Sequence, residues 1–392
     1  MKLYDELKWR GMIMDQTNNN LEERLNAGGM TFYIGTDPTA KSLHIGHLSS
    51  FLICKRLKEA GHNPIILLGN ATGLIGDPKP DAERPMVSKE LIDSNCDAME
   101  KQIKSLFDCE VVRNYDWSKD INFIDYLRDY GKYFPINYML NKDIVARRLD
   151  AGITYTEFSY MIMQALDFLY LYENKNCIMQ VAGQDQWGNI TAGVELIRKK
   201  IGKEAYAFTM PLVTKKDGTK FGKSARGALW LDKEMTSPYE IYQFFVNSED
   251  EMVETYLKRF TFLSKEEIEN LVEENNKAPE KRIASKRLGF EVVKFIHGEE
   301  EALKAQKKAI DLFETGNSED METIDLTKED TNILDLLVKT NLTPSKSEAR
   351  RLVTQGGITI DDEKIDDPNK VIDKKEFILK KGKKVFLKIR IK

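Results

Sequence analysis

Two histidines three residues apart, His44 and His47, close the stretch Tyr33-Ile34-Gly35-Thr36-Asp37-Pro38-Thr39-Ala40-Lys41-Ser42-Leu43-His44-Ile45-Gly46-His47. The stretch lies where a strand pattern gives way to a helix pattern. The free N–H groups and the dipole of a helix start favour phosphate. Two imidazoles there can bracket a nucleotide, and the intervening glycine lets an adenine approach the backbone. A bare His-x-Gly-His also fits two surface residues, because so short a motif recurs by chance. Two lysines three apart, Lys220 and Lys223, stand in Lys220-Phe221-Gly222-Lys223-Ser224 after the turn Thr214–Thr219. On a glycine-containing loop they can reach a triphosphate as point charges. Alone, Lys-x-x-Lys-Ser describes an ordinary solvated loop. The third group is Tyr160, Gln164 and Asp167, at i, i+4 and i+7 of a helical pattern and therefore on one face. A phenol, an amide and a carboxylate on a helix otherwise rich in Met, Leu and Phe form either a partly exposed polar stripe or a pocket wall.

The histidine and lysine motifs, in this order and about 175 residues apart, resemble the two signatures of class I aminoacyl-tRNA synthetases. Phe221-Gly222 departs from the general KMSKS form but keeps both lysines, as in bacterial members of the tyrosyl-tRNA synthetase family. Gly183-Gln184-Asp185-Gln186-Trp187-Gly188-Asn189 is similar to that family's G-x-D-Q-W-G-N loop. The resemblance implies that Tyr33 and Asp167 receive the tyrosine hydroxyl, that Asp77, Tyr160 and Gln164 hold the α-ammonium, and that Gln186 contacts the tyrosine. It implies ATP contacts at Gly35, Asp37, His44, Gly46, His47, Ser50, Gly183, Asp185 and Lys223, with His44, His47, Lys220 and Lys223 catalytic. Arg84 would also reach pyrophosphate. Phenylalanine would leave Tyr33 and Asp167 unpaired, which costs more than one lost contact.

The implied reaction is activation of L-tyrosine by ATP, then transfer to the 3′-terminal adenosine of tRNA(Tyr). Mg²⁺ would enter with ATP, with no resident metal and no tightly bound cofactor. The implied assembly is a homodimer, formed through helices near Tyr126–Met139. The stretch Ser345–Ile358 resembles a small RNA-binding domain shared with a ribosomal small-subunit protein, and Arg350 and Arg351 would grip tRNA phosphates there. Three rivals remain. A tryptophan enzyme would not need Asp167 facing a phenol. A small-molecule nucleotidyltransferase would lack Lys220–Ser224. A non-catalytic RNA-binding relative would not need intact His44, His47, Lys220 and Lys223.

The elements that must position these groups follow from pattern. Thr31–Gly35, Pro64–Leu68 and Cys177–Val181 read as strands, and Leu48–Ala60 as a helix ended by Gly61. Their alternation predicts an α/β parallel sheet covered by helices over 1–240, binding ligands at the carboxyl ends of its strands, and the resemblance implies that it is Rossmann-like and carries a dimer-interface insertion. Tyr239, Tyr242, Phe245 and Val246 recur at helical spacing and open an α-helical region, 241–313, which family analogy assigns to anticodon recognition. Residues 314–330 hold seven acidic residues and one lysine, the composition of a charged linker. In 331–392, 15 Lys+Arg stand against 9 Asp+Glu, so a basic module follows a body of net charge −10, as suits a polyanion-binding appendage. Ile333–Val338 and Ser345–Gln355 read as helices, the second capped by Ser345. The four scattered cysteines exclude a zinc site or a disulfide framework. No signal-peptide core or membrane-length apolar run is present, so a cytoplasmic protein without membrane contact is expected.

Overall fold

The computed structural model describes residues 1–17, 20–78, 86–146, 148–149, 152–219, 221–224, 227–311, 323–327, 331–340, 342–361, 363–382 and 385–392. Its centre is a Rossmann-like sheet of five parallel strands: β1 (Thr31–Thr36), β2 (Asn63–Leu68), β3 (Glu110–Arg113), β4 (Cys177–Gly183) and β5 (Tyr206–Met210). Both faces are covered, so β2 and β5 are runs of buried apolar side chains rather than alternating ones. Their order is β3-β2-β1-β4-β5. The chain leaves β1 towards β2 and β3, then crosses back to build β4 and β5 on the other flank. Between the carboxyl ends of β1 and β4 the connections part in opposite directions, and this topological switch opens a crevice.

Helix Ile45–Glu59 links β1 to β2, Lys89–Phe107 links β2 to β3, Tyr155–Lys175 leads into β4, and Trp187–Ile201 links β4 to β5. The free edge of β5 is covered from the N-terminus: the Met14 and Thr17 amides donate to the Thr209 and Ala207 carbonyls at 2.8 and 3.0 Å. The signature loop forms a small hairpin, β6 (Lys223–Ser224) with β7 (Gly227–Ala228).

Five helices follow: Pro238–Val246, Asp250–Phe260, Lys265–Lys277, Ile283–His297 and Glu299–Ile310. The first starts before the expected boundary at 241. Ser237 accepts from the Glu240 amide, Glu240 returns a bond to the Ser237 amide, and Pro238 takes the first helical position. The helical region shares its core with the sheet: Val253, Tyr256, Leu257 and Phe260 cluster with Leu48, Phe51 and Leu52 of the Ile45–Glu59 helix. Two buried guanidiniums lock the junction. Arg10 donates to the Lys258 and Leu263 carbonyls at 3.0 and 2.7 Å, Arg56 donates to the Thr261 carbonyl, and Glu6 faces both. Phe221 is seated in the same region, with ring centroids 4.4 Å from Tyr256, 5.0 Å from Phe244 and 5.3 Å from Phe260.

The C-terminal unit packs helices Ile333–Lys339 and Lys346–Thr354 against a second sheet. Its strands are β8 (Thr323–Leu326), β9 (Ile358–Ile360), β10 (Glu363–Ile365), β11 (Glu376–Lys381) and β12 (Val385–Ile391), in the order β10-β9-β11-β12-β8. Within 314–330, strand β8 corrects the expectation of a linker at Thr323–Leu326; 314–322 and 328–330 of that stretch lie outside the described residues. Strand β8 runs parallel to β12, from Thr323 opposite Lys388 to Leu326 opposite Ile391. Ile324 and Leu326 pack on the C-terminal core, while Asp325 pairs with Lys392 at 2.5 Å. The period-2 pattern was masked by the acidic residues around it. Ser345 caps its helix as expected, accepting from the Glu348 amide at 3.3 Å.

The seating of Phe221 gives a direct test. Phe221→Ala empties a closed aromatic site, so a loss of about 3 kcal/mol is expected, read as a lowered melting temperature. A melting temperature within a degree of the parent would show that the ring does not anchor the loop.

Candidate active site

A cavity of about 380 Å³ opens at the switch point. Of the residues singled out in the sequence, Tyr33, Gly35, Asp37, His44, His47, Asp77, Tyr160, Gln164, Asp167, Asp185 and Gln186 line it. Gly46, Ser50 and Gly183 stand outside that lining. Lys220 and Arg84 fall outside the described residues, and Lys223 is described through its backbone in β6. Arg350 and Arg351 are exposed on the Lys346–Thr354 helix of the C-terminal unit.

The floor is built by β1 and the Tyr155–Lys175 helix. Tyr33 points inward from β1 and is 1% exposed, and its hydroxyl is buried without a protein partner. Facing it is Asp167, 3% exposed. One Asp167 oxygen accepts from Asn114 Nδ2 and the other from Trp117 Nε1, both at 2.9 Å. Burial raises the Asp167 carboxyl to about 7 against the pull of those two donors, and Asp37 adds to the rise. Burial also lifts the Tyr33 hydroxyl well above the ordinary phenol value.

The middle of the cavity is a hydrogen-bonded chain. Tyr160 donates its hydroxyl to Asp37 Oδ2 at 3.1 Å, and Thr72 donates to Asp37 Oδ1 at 2.8 Å. Asn114 Nδ2 then donates to Thr72 Oγ1 at 3.0 Å as well as to Asp167. The Asn114 carbonyl oxygen accepts from the Ala71 amide at 2.7 Å. A Cβ on Gly69 would collide with the Asp37 carboxylate and the Thr72 hydroxyl, so only glycine allows the two to meet. On the far wall Asp77 accepts from Gln186 Nε2 at 3.0 Å and from Asn189 Nδ2 at 3.4 Å. Four carboxylates, Asp37, Asp77, Asp167 and Asp185, thus line one small cavity. Such a wall favours a cation and repels a second carboxylate.

At the mouth the two histidines do more than stand at a helix start. Each Nδ1 accepts the other residue's backbone amide at 3.2 Å, a reciprocal cap of the Ile45–Glu59 helix. The rings stack at 3.7 Å and 13°, so they sit side by side rather than astride a gap. With Nδ1 accepting, the neutral ring carries its proton on Nε2. Burial, then the neighbouring His44, drops His47 to about 3, so it is neutral at physiological pH. A Cβ at Gly46 would lie 2.8 Å from His44 Cε1, so any side chain there would displace the ring. The signature loop is pinned to this turn: the Ile45 amide donates to the Leu229 carbonyl at 2.9 Å, and the Leu229 amide to the Gly222 carbonyl at 3.0 Å.

Thr72, Asn114, Trp117 and Gln180 escaped the sequence reading, and Asn189 stood in the Gly183–Asn189 motif without an assigned role. Asn114 and Trp117 stand in one helical turn after β3 with no periodicity to mark them. Gln180 held a readable signal, an amide inside an otherwise apolar strand; it is 2% exposed and its Oε1 is buried without a protein partner. Among the described residues no group of three or more His, Cys, Asp and Glu could hold a metal ion, and no helix is long and apolar enough to cross a membrane.

Residues 25–314 match the family model of class I tRNA synthetases that covers the tryptophan and tyrosine enzymes, which makes this fold that of a class I synthetase. Residues 313–389 match the tyrosine–tRNA ligase SYY-like C-terminal domain. A tyrosine–tRNA ligase of Limosilactobacillus reuteri (strain DSM 20016) is 46% identical over 417 aligned positions, covering 100% of both chains. The C-terminally truncated mitochondrial tyrosyl-tRNA synthetase of Aspergillus nidulans superposes with a TM-score of 0.73 at 33% identity, covering 80% of this chain and 94% of that one. A tryptophan-bound tryptophanyl-tRNA synthetase of Encephalitozoon cuniculi gives 0.56 at 15% identity, over 77% of this chain and 87% of that one, a likeness of fold alone. The chain belongs to the tyrosine–tRNA ligases, enzymes that join tyrosine to its tRNA at the expense of ATP. The tryptophan and non-catalytic alternatives are thereby set aside.

The Asp167 environment predicts a pH dependence. Its folded pKa lies above the ordinary value of roughly 4. The group therefore favours the folded state below that value and loses this contribution as pH rises towards about 7. An ionised Asp167 is the better acceptor for a phenol. The kcat/KM for tyrosine should therefore decline as pH falls below about 7, a limb reporting the free enzyme. A profile flat down to pH about 5.5 would contradict this.

Proposed function

We propose that the crevice binds tyrosine with its ring over β1, its hydroxyl between Tyr33 and Asp167, and its ammonium among Asp77, Tyr160 and Gln164, with Gln186 beside it. The observation that carries this reading is the pair of buried groups at the floor, one hydroxyl without a partner and one carboxyl raised to about 7. A phenol completes both. A phenylalanine ring would leave both desolvated and unpaired, a penalty of about 1–3 kcal/mol per group. The same acidic wall suits an α-ammonium.

ATP then lies across the carboxyl ends of β1 and β4, against Gly35, Asp37, Gly46, Ser50, Gly183 and Asp185. The tyrosine carboxylate attacks the α-phosphate in line and pyrophosphate leaves, with no protein nucleophile. Catalysis is positioning and charge stabilisation. His44 and His47 supply Nε2–H donors to the α-phosphate oxygens. Lys220 and Lys223 supply charge, from a loop whose flanks are pinned to the histidine turn. Magnesium enters as part of the ATP complex. In the second step a ribose hydroxyl of the tRNA end attacks the adenylate carbonyl. The helical region reads the anticodon end of tRNA(Tyr), and Arg350 and Arg351 on the basic C-terminal unit contact RNA phosphates. The site of action is the cytoplasm.

Tyrosine-dependent ATP–pyrophosphate exchange tests the activation step. A chain ended before Thr323, which removes the whole C-terminal sheet, should retain exchange and lose tRNA charging. Exchange lost with charging would place the unit in activation instead.

The working form is a homodimer. The insertion between β3 and β4 exposes Phe123 at 67%, Ile124 at 62% and Ile136 at 62%, beside Leu127 at 43%. So much apolar surface on one segment marks a contact face. Phe123→Glu with Ile124→Glu should convert the sedimentation coefficient to that of a monomer. An unchanged dimer would locate the contact elsewhere.

A further inference from the structure

We infer that Tyr170 is a positioning residue for tyrosine selection, acting through the Trp117 indole on the Asp167 carboxylate. The inference rests on the proposed pairing of Asp167 with the substrate hydroxyl. Trp117 donates Nε1–H to Asp167 Oδ1 at 2.9 Å. A hydrogen bond of this kind has a direction, so its worth depends on how the indole plane is held. The turn under Trp117, Tyr115–Ser118, is four residues long and is tied down at its start, where the Tyr115 amide donates to Asn70 Oδ1 at 3.0 Å, so the backbone places the residue but leaves the plane of its ring unset. The indole face, however, lies on the Tyr170 ring, with centroids 4.3 Å apart and planes within 13°. Tyr170 follows Asp167 by three residues on the Tyr155–Lys175 helix, one turn along. A single rigid element therefore supplies both the acceptor for the indole N–H and the platform for its face, and Trp117 is fixed at two points of one helix. Both rings are half-buried and lie at the margin of the core, outside the cavity lining. Tyr170 touches no substrate position; it sets the angle at which Trp117 meets Asp167.

Loosening the indole weakens one of the two donors that hold Asp167 in place for a phenol. The effect should fall on tyrosine recognition and spare ATP. The full-length chain is assayed by ATP–pyrophosphate exchange, with tyrosine, phenylalanine and ATP varied separately. Tyr170→Ala and Tyr170→Leu should raise the KM for tyrosine about three- to tenfold, the range of an aromatic stack. They should lower the preference over phenylalanine by the same factor. The kcat and the KM for ATP should stay within about twofold. Tyr170→Phe keeps the face and should match the parent. Trp117→Phe keeps a ring but removes the N–H, so adding Tyr170→Ala to it should change nothing further. Parent-like tyrosine KM in both Tyr170→Ala and Tyr170→Leu would overturn the inference. So would an equal rise in the KM for ATP, or effects that add in the double variant. Asp167→Asn separates the two layers. If it abolishes tyrosine preference while the Tyr170 variants are silent, the role of Tyr170 alone fails. If it leaves the preference intact, the pocket assignment fails and the inference with it.

Discussion

A carboxyl group taken out of water must find donors or lose its charge, and in this protein Asp167 meets that constraint at the floor of the crevice. Its two donors, Asn114 and Trp117, come from the turn after β3, while the acid itself comes from the helix that leads into β4. Asn114 is in turn held by Ala71 and Thr72 after β2, and Thr72 by Asp37 after β1. The ends of three strands and one long helix are thus joined by a single run of hydrogen bonds. Such a network is worth most when every member is satisfied. Two polar atoms of cavity-lining residues stay outside this run without a protein partner, the Tyr33 hydroxyl and Gln180 Oε1. Polar atoms buried without protein partners are rare, and these two border the space a ligand fills.

The mouth of the crevice is organised by a different device. Two histidines cap one helix by bonding each other's amides, so their rings are stacked and their Nδ1 atoms occupied. With its Nδ1 accepting and its pKa held near 3, His47 presents an Nε2–H that acts as a neutral dipole across the physiological range. The helix that carries the pair holds Arg56 in its last turn, and Arg56 grips the Thr261 carbonyl in the helical region. That region also seats Phe221 from the signature loop. Both signature motifs are therefore braced on the same body of helices, and they share one hydrophobic core with it.

Of the first sheet, β1, β2 and β4 were legible in the sequence, as was the helix after β1, because buried parallel strands and amphipathic helices impose strong periods, whereas β3 and β5 were not read. Tyr160, Gln164 and Asp167 could be placed on one face for the same reason. The residues that escaped, Thr72, Asn114 and Trp117, lie in single turns after strands, where position is set by tertiary contacts and no period exists. Strand β8 was hidden by charge: Asp325 reads as linker until Lys392 is placed beside it. The start of the helical region was displaced because hydrophobic spacing locates a helix body, whereas the Ser237–Glu240 cap locates its end.

The measurement that bears most directly on the central claim is a crystal structure of the full chain with bound tyrosine. The account predicts the phenol oxygen between Tyr33 Oη and Asp167, about 2.5–3.0 Å from each, with the ammonium facing Asp77 and Tyr160. A tyrosine bound with its ring reversed, or a phenol oxygen facing water while Asp167 keeps only Asn114 and Trp117, would contradict it.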